Sequence, residues 1–169
     1  MYIYKPKGGL FMDQLIKLLK NNARITNSEL AVLLDKTEEQ VAADIAKLEA
    51  DGVIKGYSAI VDESAYDPNS VFALIELKVT PQSQSGFDEI ANQIASYEQV
   101  ESVRLMSGAY DIIVAVNGAN IRDISQFVSQ RLATIDAVQS STHFVLKVYK
   151  DNGIMISTDD KDERGLISP

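Results

Sequence analysis

Two threonines, Thr26 and Thr37, each stand just before a run of residues with helical periodicity, and their spacing constrains the fold strongly. A side-chain oxygen in this position accepts hydrogen bonds from first-turn N–H groups. We therefore expect Thr26 or Asn27 to cap one helix, and Thr37 to cap the next in a capping box with Gln40. The first of these helices ends near Leu34, so only a tight connection separates the two. This arrangement predicts a helix-turn-helix, which holds its second helix out for docking in a groove.

Apolar residues recur at helical spacing on both sides of this turn. An earlier helix is predicted from Asp13 to Asn21. The buried faces of the second and third helices are expected to consist of Leu30, Ala31, Leu33, Leu34, Val41, Ile45 and Leu48. Asp51-Gly52 closes the third helix, and the segment from Val53 to Val61 is predicted to be extended as a strand.

The second half of the chain alternates strand patterns with helix patterns. Strands are predicted over 71–80, 100–106, 111–116 and 138–149, and helices over 87–95 and 121–132. The order β-α-β-β-α-β is that of a ferredoxin-like domain, with two helices on one face of an antiparallel sheet. The other face needs a cover because exposed apolar sheet faces are a liability. We expect two protomers to pack sheet to sheet.

These patterns divide the chain into a helix-turn-helix domain and a sheet domain. Residues 1–11 lack periodicity and are interpreted as a loose arm or an artificial extension ahead of a natural start at Met12. The expected ranges are 12–62 for the DNA-binding domain, 63–67 for a linker, 68–150 for the ferredoxin-like domain and 151–169 for a polar tail. In that tail, Ile154 to Ile156 offers an edge strand to a neighbour, and the charge run at 159–163 is expected to be solvated.

Composition excludes several classes of function. None of the 169 residues is a cysteine, so disulfides, zinc-thiolate sites and thiol nucleophiles are excluded. No apolar run approaches the roughly 20 residues of a membrane span, and no signal peptide is recognisable, so we expect a cytoplasmic protein without a membrane partner.

The net charge of −8 argues against non-specific coating of nucleic acid. It is unevenly distributed, at −1 over residues 1–62 and −7 over residues 63–169. A nearly neutral helix-turn-helix still has the option of binding DNA through a few placed cations.

The residues at Arg24-Ile25-Thr26, Glu29-Leu30-Ala31 and from Leu48 to Tyr57 resemble the Lrp/AsnC (feast/famine) family of transcription regulators. The βαββαβ layout and the Gly108-x-Tyr110-Asp111 element resemble the sensing domain of the same family, so the resemblance covers about residues 12–150. It implies an α+β protein in which an N-terminal winged helix-turn-helix is joined by a strand to the ferredoxin-like domain. It also implies double-stranded DNA, a small-molecule effector and a homodimer assembling into tetramers or octamers.

On this interpretation the third helix contacts bases, and nearby cations contact phosphates. The candidate DNA-binding residues are Arg24, Lys36, Thr37, Gln40, Lys47 and Lys55. Three carboxylates, on Glu38, Glu39 and Asp44, oppose a polyanion unless partners neutralise them, although carboxylates accept hydrogen bonds from cytosine amino groups. The alternative is therefore an effector-sensing oligomer with weak or lost DNA binding that acts through partners.

The resemblance places the effector between dimers, near the hairpin that joins the second and third predicted strands, and we expect an amino acid. The candidate effector-binding residues are Ser107, Gly108, Ala109, Tyr110, Asp111, Ser141 and Thr142. Backbone N–H groups near Gly108 suit a carboxylate, and Asp111 suits an ammonium. The simpler alternative is that Gly108 and Asp111 only shape a turn.

An enzyme is the other alternative, because ferredoxin-like domains host many functions. The chain has no legible nucleophile–base pair and no phosphate-binding glycine loop. His143 is the sole histidine, which leaves no credible metal site. We therefore expect neither catalysis, nor a cofactor, nor a bound metal.

Overall fold

The computed structural model describes residues 9–80, 86–135 and 137–156. The chain divides after Ile60 into two compact units. No helix within the described ranges is both long and apolar enough to cross a membrane.

The first unit is a helix-turn-helix preceded by one further helix. Its helices are α1 (Gly9–Asn21), α2 (Asn27–Leu34) and α3 (Glu38–Ala50). Its core consists of buried residues from all three helices, namely Leu15, Leu30, Ala31, Leu34, Val41 and Leu48. Ile45 packs against this core partly buried, as its spacing from Val41 predicted.

Both predicted helix caps are confirmed. The Thr26 hydroxyl accepts a hydrogen bond from the Glu29 N–H at 3.2 Å, and the Glu29 carboxylate accepts from the Thr26 N–H at 2.8 Å. The residue that caps α2 is therefore Thr26 and not Asn27. Thr37 and Gln40 form the same reciprocal pair at the start of α3, with distances of 3.3 and 3.1 Å. Four N–H groups at the helix starts are satisfied in this way.

Three predictions in this unit are wrong, and they concern the burial of Leu33, the start of α1 and the strand from Val53 to Val61. Leu33 is not buried, because it lies outside the arc of α2 that Leu30 and Leu34 share and is 60% exposed. Helix α1 begins at Gly9, inside the segment interpreted as an arm, whose residues 1–8 lie outside the described ranges.

The segment from Val53 to Val61 forms no strand, because it pairs with no strand in the part of the chain that the structure describes. Its start is held by N–H groups of Val53 and Ile54, which donate to the Leu48 carbonyl at 2.9 and 3.1 Å. The Tyr57 hydroxyl donates to the Glu49 carboxylate at 2.9 Å.

The second unit carries the sheet. Its helices are α4 (Glu63–Tyr66), α5 (Gly86–Ala95) and α6 (Ile121–Gln130), followed by a 3-10 turn at Leu132–Thr134. Its strands are β1 (Val71–Val79), β2 (Val100–Leu105), β3 (Ile112–Gly118), β4 (Ala137–Phe144), β5 (Lys150–Asp151) and β6 (Ile154–Met155).

Strands β1 to β4 form one antiparallel sheet in the order β2-β3-β1-β4. The predicted fold class is confirmed, with a βαββαβ order whose first strand lies in the middle of the sheet. In register, Ile75 of β1 lies beside Val114 of β3 on one side and beside Thr142 of β4 on the other. Because paired residues in an antiparallel sheet share a face, this register assigns side chains to the two faces.

One face of the sheet is packed against the helices. Ala73, Ile75 and Leu77 of β1 are fully buried there. They share a core with α5 and α6, which contribute Ile90, Ile94, Ile124 and Phe127.

Alternation places Phe72, Leu74, Glu76 and Lys78 on the opposite face, which we call the open face. Phe72, Leu74 and Ile113 remain partly exposed there. Apolar residues therefore line the middle of the open face.

Two elements of this unit differ from prediction, namely the linker and the last strand of the sheet. The linker at 63–67 contains helix α4, because Asp62 caps it by accepting from the Ser64 N–H at 3.1 Å. Strand β4 ends at Phe144 instead of continuing to Tyr149.

A small hairpin of β5 and β6 follows β4. Ile154 and Met155, expected to pair with a neighbour, pair with Lys150 and Asp151 of the same chain. The cause is the intervening Asn152-Gly153 turn, in which both residues have positive φ, of 43° and 91°. This dipeptide is the usual signal of a tight hairpin. The charge run at 159–163 lies outside the described residues.

Substitution of the cap residue Thr26 tests the importance of the α2 start. We expect Thr26→Ala to lower the free energy of unfolding by about 1 kcal/mol, because an N–H in the first turn loses its acceptor. Ser28→Ala, two residues further on at an exposed position, is the control and is expected to stay within about 0.5 kcal/mol. Urea unfolding followed by circular dichroism measures both, and equal effects would contradict the cap.

The Glu29 carboxylate gives this cap a pH dependence. Hydrogen bonds from Thr26 lower the pKa of Glu29 below its ordinary 4.5. A lowered folded-state pKa stabilises the fold above the unfolded pKa, and this stabilisation is lost as the pH falls through the folded value. We expect Glu29→Gln to remove that part of the acid destabilisation below about pH 4.5. Unfolding curves at pH 6 and pH 3 measure the difference, and parallel losses in both proteins would contradict it.

Candidate DNA-binding and effector sites

The outward face of α3 is the first candidate site. Val41, Ile45 and Leu48 turn α3 toward the core. The positions opposite them recur at spacings of four, three and four, so they form one stripe along the helix. All four stripe residues are exposed, and they are Glu39, Ala43, Ala46 and Ala50.

Thr37 and Gln40 stand at the start of α3, as predicted, but the cap engages their polar groups. The Thr37 hydroxyl accepts from the Gln40 N–H, and the Gln40 side-chain oxygen accepts from the Thr37 N–H. These two oxygens are thus already bonded inside the protein. A base contact by either oxygen competes with the helix cap.

Lys36 and Asp44 form an ion pair in which both side chains are partly buried. The pair joins the turn before α3 to the middle of the helix. It neutralises Asp44, one of the three carboxylates that opposed DNA binding. It also engages the Lys36 ammonium, which was predicted to contact a DNA phosphate.

The other candidate cations are more exposed. Lys47 lies 3.4 Å from the Asp51 carboxylate in an i,i+4 pair with both side chains well exposed. Such pairs contribute little, so Lys47 can exchange this partner for a phosphate. Arg24 lies in the α1–α2 connection and Lys55 follows α3, and both residues are exposed.

The hairpin between β2 and β3 is the second candidate site, and Asp111 fastens it to the central strand β1. The Asp111 N–H donates to the Leu77 carbonyl at 2.9 Å, and the Asp111 carboxylate accepts from the Val79 N–H at 3.0 Å. The Asp111 carbonyl also accepts from the Met106 N–H at 2.7 Å. Asp111 is thus a structural anchor whatever else it binds.

Lys78 is a residue of this site that the sequence analysis missed. Its ammonium donates to the Ala109 carbonyl at 3.0 Å. The hairpin therefore has a cation beside Ala109 and the Asp111 carboxylate two residues further on. The signal was available, since the end of β1 must lie beside this hairpin in a βαββαβ sheet, but it required the strand register.

Gly108 has no role in the fold that requires a glycine. Its φ lies outside the left-handed range. A Cβ added at Gly108 meets nothing within 4 Å. Neither the backbone conformation nor the packing within the chain therefore requires a glycine at this position.

Ser141 and Thr142 are not brought to the hairpin within one chain. They lie on β4, and the whole of β1 separates them from β3. Thr142 pairs with Ile75 of the helix-packed face, whereas Ser141 pairs with Glu76 of the open face. The Ser141 hydroxyl lies 3.2 Å from the His143 ring, which lies 3.1 Å from the Glu76 carboxylate.

Comparisons with known proteins match each half of the chain to a known domain. Residues 14–55 match the model of a winged helix-turn-helix DNA-binding domain, and residues 72–155 match that of the Lrp/AsnC ligand binding domain. An uncharacterized HTH-type transcriptional regulator of Bacillus subtilis, YugG, is 40% identical to this chain over 158 residues. That match covers 92% of this chain and 95% of the relative.

Solved structures show the same architecture. PH0061 of Pyrococcus horikoshii superimposes with a TM-score of 0.74 at 28% identity, covering 89% of this chain and 98% of that one. The feast or famine regulatory protein Rv3291c of M. tuberculosis, solved with L-methionine, gives 0.70 at 25% identity, covering 86% and 97%.

The class defined by the fold and these matches is a helix-turn-helix transcription regulator with a ligand-binding domain. The chain belongs to the Lrp/AsnC family.

Two substitutions test which residues of the hairpin stabilise the fold. Asp111→Ala is expected to cost about 1–3 kcal/mol of unfolding free energy, because the partly buried Val79 N–H loses its acceptor. Gly108→Ala is expected to stay within about 0.5 kcal/mol, since its Cβ enters open space. Denaturant unfolding of both variants measures this contrast. A large loss for Gly108→Ala would show that the fold itself requires the glycine.

Proposed function

We propose that this regulator binds DNA sequence-specifically and that an amino acid bound at the Ser107–Asp111 hairpin controls its assembly. It acts in the cytoplasm, has no catalytic activity and needs neither cofactor nor metal. The observation that carries the effector assignment is the hairpin itself. It combines a glycine that the fold does not require with a cation and a carboxylate.

The charges of the hairpin match those of an amino acid. The Asp111 carboxylate suits an ammonium, while Lys78 and turn N–H groups suit a carboxylate. An amino acid is a small ligand that carries both charges. The L-methionine complex of the M. tuberculosis relative supports the same ligand class.

DNA binding rests on α3 and the cations around it. Arg24, Lys47 and Lys55 are the residues that we assign to phosphates. Thr37, Gln40 and Lys36 belong to the same surface, although their present bonds hold the turn and the start of α3. With so few cations, we expect a shallow dependence of affinity on salt.

The open face of the sheet supports a homodimer. Phe72, Leu74 and Ile113 are partly exposed there, and a second copy of the same face would bury them. A two-fold axis would present two α3 helices to successive major grooves about 34 Å apart. We propose that dimers join further into tetramers or octamers.

Control then follows from assembly. A ligand held between dimers stabilises one assembly relative to another and so changes how many α3 helices bind one duplex together. Ser141 and Thr142, distant from the hairpin in their own chain, would belong to such a site only through a neighbouring protomer.

The alternative is an effector-sensing oligomer with weak or lost DNA binding that acts through partners. The observation that favours it is the exposure of Glu38 and Glu39 at the start of α3. Carboxylates repel phosphates, so this alternative predicts no sequence-specific shift of duplex DNA and, if binding is lost, no shift even at low salt.

A gel shift with the protein's own promoter, at low salt, tests the proposal. We expect a complex whose affinity changes with one or a few of the twenty amino acids. Gly108→Val should abolish that response while DNA binding remains, because the added side chain occupies the open space. Ala119→Val, an exposed loop position at the far end of β3, is the control and should keep the response. If no protein–DNA complex forms, the proposed DNA binding is contradicted. An unchanged response in Gly108→Val would place the effector elsewhere.

A further inference from the structure

We propose that Glu39 and the methyl groups of Ala43 and Ala46 select the bases that α3 recognises. The carboxylate accepts from a cytosine amino group, and the methyls contact thymine methyls. This inference rests on the proposed DNA binding and specifies the sequence that the same site prefers.

The position of Glu39 supports this role. It begins the exposed stripe that continues through Ala43 and Ala46, opposite the side of α3 that packs on the core. In helix-turn-helix proteins the N-terminal residues of the second helix reach base edges. Glu39 is the second residue of α3, and it therefore lies where direct readout takes place.

Other polar groups of α3 are engaged or lie to the side. Thr37 and Gln40 have their oxygens in the cap, and Asp44 is paired with Lys36. Lys47 flanks the stripe and lies near Asp51. Within the stripe itself, Glu39 is the one side chain with hydrogen-bonding atoms.

The chemistry of Glu39 limits its partners. Hydrogen bonds from its own N–H and from the Thr37 hydroxyl lower the pKa of Glu39, so the carboxylate is ionised at neutral pH. An ionised carboxylate only accepts hydrogen bonds. Guanine presents two acceptors in the major groove and thymine one. Adenine presents its amino donor directly beside the N7 acceptor, which repels a carboxylate, whereas cytosine presents an amino donor alone. Cytosine is thus the matching partner.

Ala43 and Ala46 add a contact that needs no hydrogen bond. Both are exposed, and their short side chains let the helix approach the base edges closely. Alanine methyls pack against the C5-methyl group of thymine. The stripe therefore favours a site in which thymines lie next to a cytosine.

In vitro selection from a random duplex library, with the full-length protein, identifies the DNA sequences that the protein prefers. The selected duplexes are then used to measure affinity. We expect enriched duplexes to carry cytosine beside thymines in each half-site. Replacing those thymines with deoxyuridine removes only the methyl groups and should weaken binding about fourfold for each methyl group that α3 touches. Equal affinity for the uracil duplex would overturn the methyl contacts. If no duplex is enriched, the proposed DNA binding fails and this inference fails with it.

A matched pair of variants tests the carboxylate. Glu39→Gln and Glu38→Gln each remove one negative charge from adjacent exposed positions. Both should bind non-specific DNA slightly more tightly. We expect repeat selection with Glu39→Gln to replace cytosine by adenine, the base that glutamine recognises, while Glu38→Gln selects the original sequence. The same enriched base in wild type and Glu39→Gln would overturn the assignment.

Discussion

The second unit depends on the burial of one side of its central strand. β1 lies between β3 and β4 and buries Ile75 and Leu77 against the helices. Two helices cover one face of a four-stranded sheet, so alternation leaves Leu74 and its neighbours on the other. Burial of large apolar side chains contributes roughly 25 cal/mol per Å². Covering the open face is therefore the physical reason for the homodimer that we propose.

In the first unit, by contrast, hydrogen bonds and an ion pair between polar side chains position a helix. Thr37 and Gln40 cap α3, and Lys36 with Asp44 ties the turn to its middle. These bonds fix the helix that meets DNA, but they also occupy several of the groups that sequence reasoning assigned to DNA. In the recognition that we propose, the exposed stripe of α3 meets the bases, and Glu39 can accept from a base as well as from the Thr37 hydroxyl. On this proposal an acidic, alanine-rich surface is compatible with a DNA-binding unit.

Sequence patterns predicted the fold well because its signals are local. Capping residues and apolar periodicity located α2, α3 and the strand order, and tertiary packing agreed with them. The exposure of Leu33 depends on which arc of α2 meets its neighbours, which periodicity in an eight-residue helix does not determine. The site was predicted less completely. Lys78 reaches Ala109 only through strand register, a long-range property that spacing along the chain does not contain.

The central claim is that the open face of the sheet is an interface between copies of this chain. Sedimentation equilibrium of the wild-type protein against Leu74→Glu tests it most directly, with Val32→Glu as a control on an exposed residue of the first unit. The account predicts a wild-type mass of at least twice the 18.6 kDa chain, unchanged in the control and reduced in Leu74→Glu. A wild-type protein that sediments as a single chain of 18.6 kDa would contradict it.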